Sequence, residues 1–147
     1  MILLTQTEAD TLLAMRKVRV AEDSYAFPTN GQKLVIPLRS EDHREEFLLD
    51  IGSSRIDLLK IKYQNRARVS FILARLDFGG APHQNPDGAL VPCPHLHVYR
   101  EGYADKWAVP LSPEQFTDHQ NRWQLLEDFI RFCKVTDPPT IEKGLFV

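Results

Sequence analysis

The stretch Arg68-Val69-Ser70-Phe71-Ile72-Leu73-Ala74-Arg75-Leu76-Asp77-Phe78 is apolar on both of its alternating faces, with charge only at Arg68, Arg75 and Asp77. A strand that is apolar both ways needs cover on each side, which makes it a central strand with the rest of the chain arranged about it. Upstream, period-two runs predict strands at Leu34 to Leu38, Phe47 to Ile51 and Ile56 to Gln64, with turns at Gly52-Ser53-Ser54 and after Asn65. Pro37 has no amide proton, so the first of these is expected at an edge or beside a bulge. Downstream, Asn85-Pro86-Asp87-Gly88 reads as a type I turn with Gly at the left-handed position of a three-residue hairpin loop. His95 to Glu101 would return beside the central strand, and Lys106 to Leu111 would follow as a sixth.

Helical signals lie at the two ends. Thr5-Gln6-Thr7-Glu8 is a capping box opening a helix from Thr5 to Val20, with Ala9, Leu12 and Leu13 on its apolar face and Arg16, Lys17 and Arg19 complementing its dipole. Ser112-Pro113-Glu114-Gln115 predicts a short helix, and Arg122 to Val135 a longer one that Asp137-Pro138-Pro139 ends. Trp107 and Trp123 read as core anchors, and Ile141, Leu145 and Phe146 form an apolar tail. The expected fold is α+β: a single domain over residues 1–147, a twisted and mostly antiparallel sheet of about six strands, partly barrel-like, with the N- and C-terminal helices packed on it.

Composition excludes several classes. The chain has 147 residues, 43% of them hydrophobic, which is enough to build a core without metal or disulfides. With 18 basic and 20 acidic residues the net charge is −2, which argues against a surface built wholly for nucleic acid. Cys93 lies in a Pro-rich loop and Cys133 in an apolar helix, so no disulfide framework is expected. The start at Met1-Ile2-Leu3-Leu4 lacks a secretory signal, and no apolar run reaches the roughly 20 residues that cross a bilayer; a cytoplasmic protein with no membrane partner is expected.

Polar chemistry is densest between Arg75 and Trp107, where three of the five histidines fall. Alternation places His95, His97 and Tyr99 on one strand face. A three-residue loop at Asn85 to Gly88 would pair residues whose numbers sum to 174, setting Asp77 opposite His97, Arg75 opposite Tyr99 and Gly79 opposite His95. Three readings follow. His97 as base, oriented by Asp77, with His95 or His83 as acid and Arg75 on the developing charge, is the equipment of RNA cleavage without a metal or other cofactor. Arg55 to Arg75 supports it with six basic residues against Asp57, and Lys60, Lys62, Arg66 and Arg68 would take phosphate. Alternatively His95 and His97 with Asp77, Cys93 or His83 form a two-histidine, one-carboxylate metal set. In the third, the same residues make a structural network or a protein-binding surface without chemistry.

The run Asp77-Phe78-Gly79-Gly80, His83, Asn85-Pro86, Pro94-His95-Leu96-His97-Val98-Tyr99, Glu101-Gly102-Tyr103 and Trp107-Ala108-Val109-Pro110-Leu111 resembles a family of small bacterial and prophage proteins of unknown function. The resemblance covers most of the chain. It implies a shared fold and draws attention to the His-x-His strand, but implies no residue roles. Its mobile-element setting points to phage defence or toxin-antitoxin biology. The expectation from the residues is thus an RNA-directed, toxin-type endoribonuclease. A non-catalytic interaction module would instead meet a cognate inhibitor, or a second copy through the C-terminal tail.

Overall fold

The computed structural model describes residues 3–57 and 59–144. In chain order these form α1 (Gln6–Ala14), β1 (Lys17–Arg19), β2 (Ser24–Ala26), β3 (Lys33–Ser40), β4 (Glu46–Ser53), β5 (Ile61–Ala67), β6 (Phe71–Phe78), β7 (His83–Gln84), β8 (Leu90–Val91), β9 (His95–Val98), β10 (Ala108–Pro110), α2 (Arg122–Phe132), β11 (Val135–Asp137) and β12 (Thr140–Glu142). The fold is α+β. Its main sheet has eight strands in the order β10-β9-β6-β5-β4-β3-β1-β11, mostly antiparallel, with β1 and β11 parallel. The six expected strands are the run from β10 to β3; β1 and β11 extend it, and with β10 and β11 at its edges the sheet is open, not barrel-like. No helix among the described residues is long and apolar enough to cross a membrane.

One face of this sheet makes the core. Phe47, Leu49 and Ile51 from β4, Ile61 and Tyr63 from β5 and Leu76 from β6 are buried there. α2 lies over them: the Tyr63 hydroxyl donates to the Arg122 carbonyl at 2.7 Å, and its ring meets Phe129 at 6.2 Å. Trp123 packs against this core from α2, half-buried, and Cys133 is wholly buried. β6 is central, between β5 and β9, the place its sequence predicts.

The differences from expectation have local causes. α1 opens with the expected capping box on Thr5 and Glu8 but ends at Ala14, not Val20. Lys17 to Arg19 pair with Leu38 to Ser40 instead, because Val18 and its neighbours gain a ladder against β3. The chain turns at Arg68 and Val69, both at positive φ, and Asn65 lies buried inside β5. β5 starts at Ile61, five residues after the expected start, and Ser112 to Phe116 make a single turn without a helix. β1 covers only Leu38 to Ser40, so β3 is an edge at Pro37. Ile141 pairs with Tyr25 in a parallel ribbon of β12 with β2; Leu145 and Phe146 lie outside the described residues.

Lys17 ties the two helices together. Its buried ammonium donates to Leu13 and Met15 carbonyls at 2.9 Å each and to the Cys133 carbonyl at 2.7 Å, over the Phe47 ring. Met15 and Cys133 are the C-caps of α1 and α2, so both helices end on one cation. Burial pulls the ammonium down to about 8, which leaves it charged at neutral pH. Lys17→Met leaves three carbonyls without a donor and is expected to cost about 2–4 kcal/mol, read as a lower urea midpoint at unchanged slope.

Candidate metal centre

β6 and β9 set the centre of the second sheet face. Asp77 pairs with His95 and Arg75 with His97, numbers summing to 172, not 174. The loop is longer than a three-residue connection: Asn85-Pro86-Asp87-Gly88 does make its turn, with Gly88 donating to the Asn85 carbonyl at 2.8 Å, but that turn closes the separate ribbon of β7 with β8. A two-residue shift keeps every side chain on its face, so Arg75, Asp77, His95 and His97 still share one side. Tyr99 leaves this group, buried with its hydroxyl on the Leu4 carbonyl at 2.7 Å, and Gly79 no longer faces His95.

The ribbon brings in His83. Asn85 is buried and exchanges hydrogen bonds with Ala108 of β10 at 3.0 and 2.8 Å, which pins the ribbon against the end of the sheet. The His83 ring then lies 4.6 Å from that of His97 and 6.0 Å from that of His95, its Nε2 donating to the Lys106 carbonyl at 2.7 Å.

His95 is 2% exposed and His97 0%, so each ring nitrogen needs a partner. His95 Nδ1 meets the Pro92 carbonyl at 3.2 Å and His97 Nδ1 meets the Asp105 carbonyl at 2.8 Å. A carbonyl only accepts, so each ring donates from Nδ1 and turns its Nε2 inward. Both Nε2 atoms then point at the same Asp77 Oδ2, each at 3.3 Å. The ligand atoms of Asp77, His95 and His97 lie within 4.8 Å of one another.

Arg75 supplies positive charge beside this convergence. It bonds Asp77 Oδ1 at 3.1 Å, Asp105 Oδ2 at 2.6 Å and His97 Nε2 at 3.1 Å. Burial alone would raise the Asp77 pKa, yet hydrogen bonding with His95 and His97 and the Arg75 charge outweigh burial and hold it far below the usual carboxylate range.

The other expected residues divide. Cys93 donates its thiol to the Asp77 carbonyl at 3.1 Å, and burial pushes its pKa up, so it stands outside the ligand group as a protonated thiol. Arg66 is held by Asp50 at 2.6 and 2.8 Å, and Arg68 by Glu45 at 2.9 Å, so their charges are compensated. Lys60 and Lys62 are exposed and line a cleft further along the same sheet. Sequence reasoning gave no part to Asp105, whose carbonyl orients His97 while its carboxylate holds Arg75. A turn residue eight positions beyond His97 carries no periodic signal that would have marked it.

These features define an α+β protein with a buried two-histidine, one-carboxylate cluster on an open, mostly antiparallel sheet. The chain belongs to the family of unknown function DUF6978, whose model matches residues 4–135. No curated protein and no solved structure matches it.

The folded-state pKa of Asp77 lies below its ordinary value of 3.8, so its stabilising contribution is complete above that pH and is lost as pH falls below it. In metal-free protein Asp77→Asn is expected to lower the urea midpoint at pH 7 and to flatten its decline below about pH 4.

Proposed function

We propose that this protein is a metalloprotein in which Asp77, His95 and His97 hold one divalent transition-metal ion, with His83 beside the ligand group. The observation that carries this reading is the convergence of both Nε2 atoms on one Asp77 oxygen at 3.3 Å while both Nδ1 atoms are held by backbone carbonyls. With Nδ1 engaged, only Nε2 of each ring is left to ligate, and one metal ion would take both Nε2 atoms and the Asp77 carboxylate together. Carbonyl-anchored Nδ1 groups fix the tautomer and aim of ligating histidines in such sites. Two imidazoles and one carboxylate suit zinc or iron and leave coordination positions for water or substrate. The ion would supply a Lewis acid and a bound water of lowered pKa.

Toxin-type RNA cleavage, with His97 as base, has less support. A carboxylate that orients a base holds one ring nitrogen and leaves the other for substrate. Here the Nε2 atoms of both rings face Asp77 and the Nδ1 atoms face carbonyls, so neither ring offers a nitrogen to a substrate proton. Of the four cations assigned to phosphate, Arg66 and Arg68 are already ion-paired.

The test is the metal content of protein purified without a histidine tag, measured by plasma mass spectrometry. About one equivalent of zinc or iron is expected in the wild type, lost in His95→Ala/His97→Ala with the fold intact by circular dichroism. Metal-free wild type that also fails to take up added zinc would overturn the reading, and RNA cleavage abolished by His97→Ala would replace it. Arg75→Met removes a competing cation from Asp77 and His97 and is expected to tighten zinc binding by about tenfold or more in a competition titration.

A further inference from the structure

Strand register carries the polar face well beyond the cluster. Lys33 opposes Gly52, Gly52 opposes Lys62, Lys62 opposes Asp77 and Asp77 opposes His95. Directly opposed residues share a face, so these five form one row across β3, β4, β5, β6 and β9. The adjoining row is Asp50, Gln64, Arg75 and His97.

At the β3 to β5 end the row opens into a cleft of about 400 Å³, lined by Lys33, Lys60 and Lys62 with Ser53, Ser54 and Gln64. Gly52 lies in its lining with no side chain of its own. A Cβ placed there would meet only the Lys33 side chain, at 4.0 Å, so the space above Gly52 is open. The one acid in the lining, Asp50, is neutralised by Arg66 at 2.6 Å. None of the three lysines has a carboxylate partner among the described residues. Three unpaired ammonium groups around a side-chain-free floor repel one another and are relieved by an anion.

We infer that this cleft binds the phosphate end of a small phosphorylated molecule and presents the rest of it to the Asp77, His95 and His97 centre. Gly52 and Asp77 are two strand spacings apart, about 10 Å, a span that a diphosphate or a phosphorylated sugar covers. The cleft volume falls within the range of small-molecule sites. Lys62 stands between the two ends, opposite both Gly52 and Asp77. The reacting end rests on the metal-site reading; the anion end rests on the lysine cleft alone.

The probe is inorganic pyrophosphate, titrated calorimetrically into protein stripped of metal and dialysed free of chelator. Saturable binding is expected in the wild type, weakened about tenfold or more in Lys33→Ala/Lys62→Ala, whose side chains are exposed. Gly52→Val fills the space above the strand without backbone strain and is expected to weaken binding likewise. Lys143→Ala, an exposed charge elsewhere, is expected to change nothing. No binding by the wild type, or an equal loss in Lys143→Ala, overturns the site. An RNA oligonucleotide that binds far more tightly than pyrophosphate through Lys33 and Lys62 overturns the small-ligand form of it. A parallel zinc titration separates the two proposals: zinc bound without pyrophosphate sinks the cleft alone, whereas lysine-dependent pyrophosphate binding without zinc upholds the cleft and sinks the metal centre.

Discussion

The sheet is apolar on the side that α2 covers, and this constraint governs the rest of the molecule. Because side chains alternate, burying Leu49, Ile51, Tyr63, Leu76 and Leu96 sends Asp50, Gln64, Arg75, Asp77, His95 and His97 together to the opposite side. That second face has been filled with polar groups, and the strand crossings pack them closely enough that Asp50, His95 and His97 are almost fully buried. Buried polar groups must be partnered, so the face resolves into two networks. Asp50 takes Arg66 and Gln64; Asp77 takes Arg75 and the two imidazoles. A one-residue slip between β6 and β9 would put His95 and His97 in the apolar core, and so the core itself holds the register that builds the cluster.

The ribbon of β7 and β8 completes what the sheet begins. Asn85 behaves there as a backbone mimic: its amide pairs both polar groups of Ala108, so a side chain continues the ladder where β10 has no further neighbour. The result lowers solvent access around His97 and places the His83 ring against it at 4.6 Å. Lower solvent access strengthens the pull of Arg75 on Asp77, consistent with the carboxyl staying ionised despite its burial.

Much of this was legible in the residues, and the exceptions share a cause. The largely apolar run Phe71 to Phe78 marked the central strand, and the Thr5 to Glu8 capping box marked the start of α1. Period-two reading also grouped Arg75, Asp77, His95 and His97 on one side, because faces survive any even shift of register. The partners within the group did not survive it. They depend on how many residues the connection consumes, and the Asn85 turn was read as the whole connection when it closes only the ribbon. The end of α1 was misplaced because Lys17 looked like a helix cation; it does answer the helix carbonyls, but from the first residue of β1, and it answers those of α2 as well. Short strands such as β1 and β11 have three residues each, too few to show a period. Asp105 and Lys33 become part of the site only through contacts or pairings made after folding, which local pattern cannot encode.

Charge explains how such a face is stable in the protein alone and still suited to a cation. Asp77 and Asp105 are two carboxylates on one guanidinium, and Arg75 is shared between them. Its contacts are unequal: 2.6 Å to Asp105, but 3.1 Å to both Asp77 and His97. A metal ion taken up by Asp77, His95 and His97 would compete with the longer contacts and leave the shortest in place. Arg75 would then keep its bond to Asp105 instead of being expelled into solvent. Asp105 in turn keeps its carbonyl on His97 Nδ1, so the residue that receives the guanidinium also holds a ligand in position. The same side chains thus account for the closed, hydrogen-bonded cluster and for the direction in which it would open.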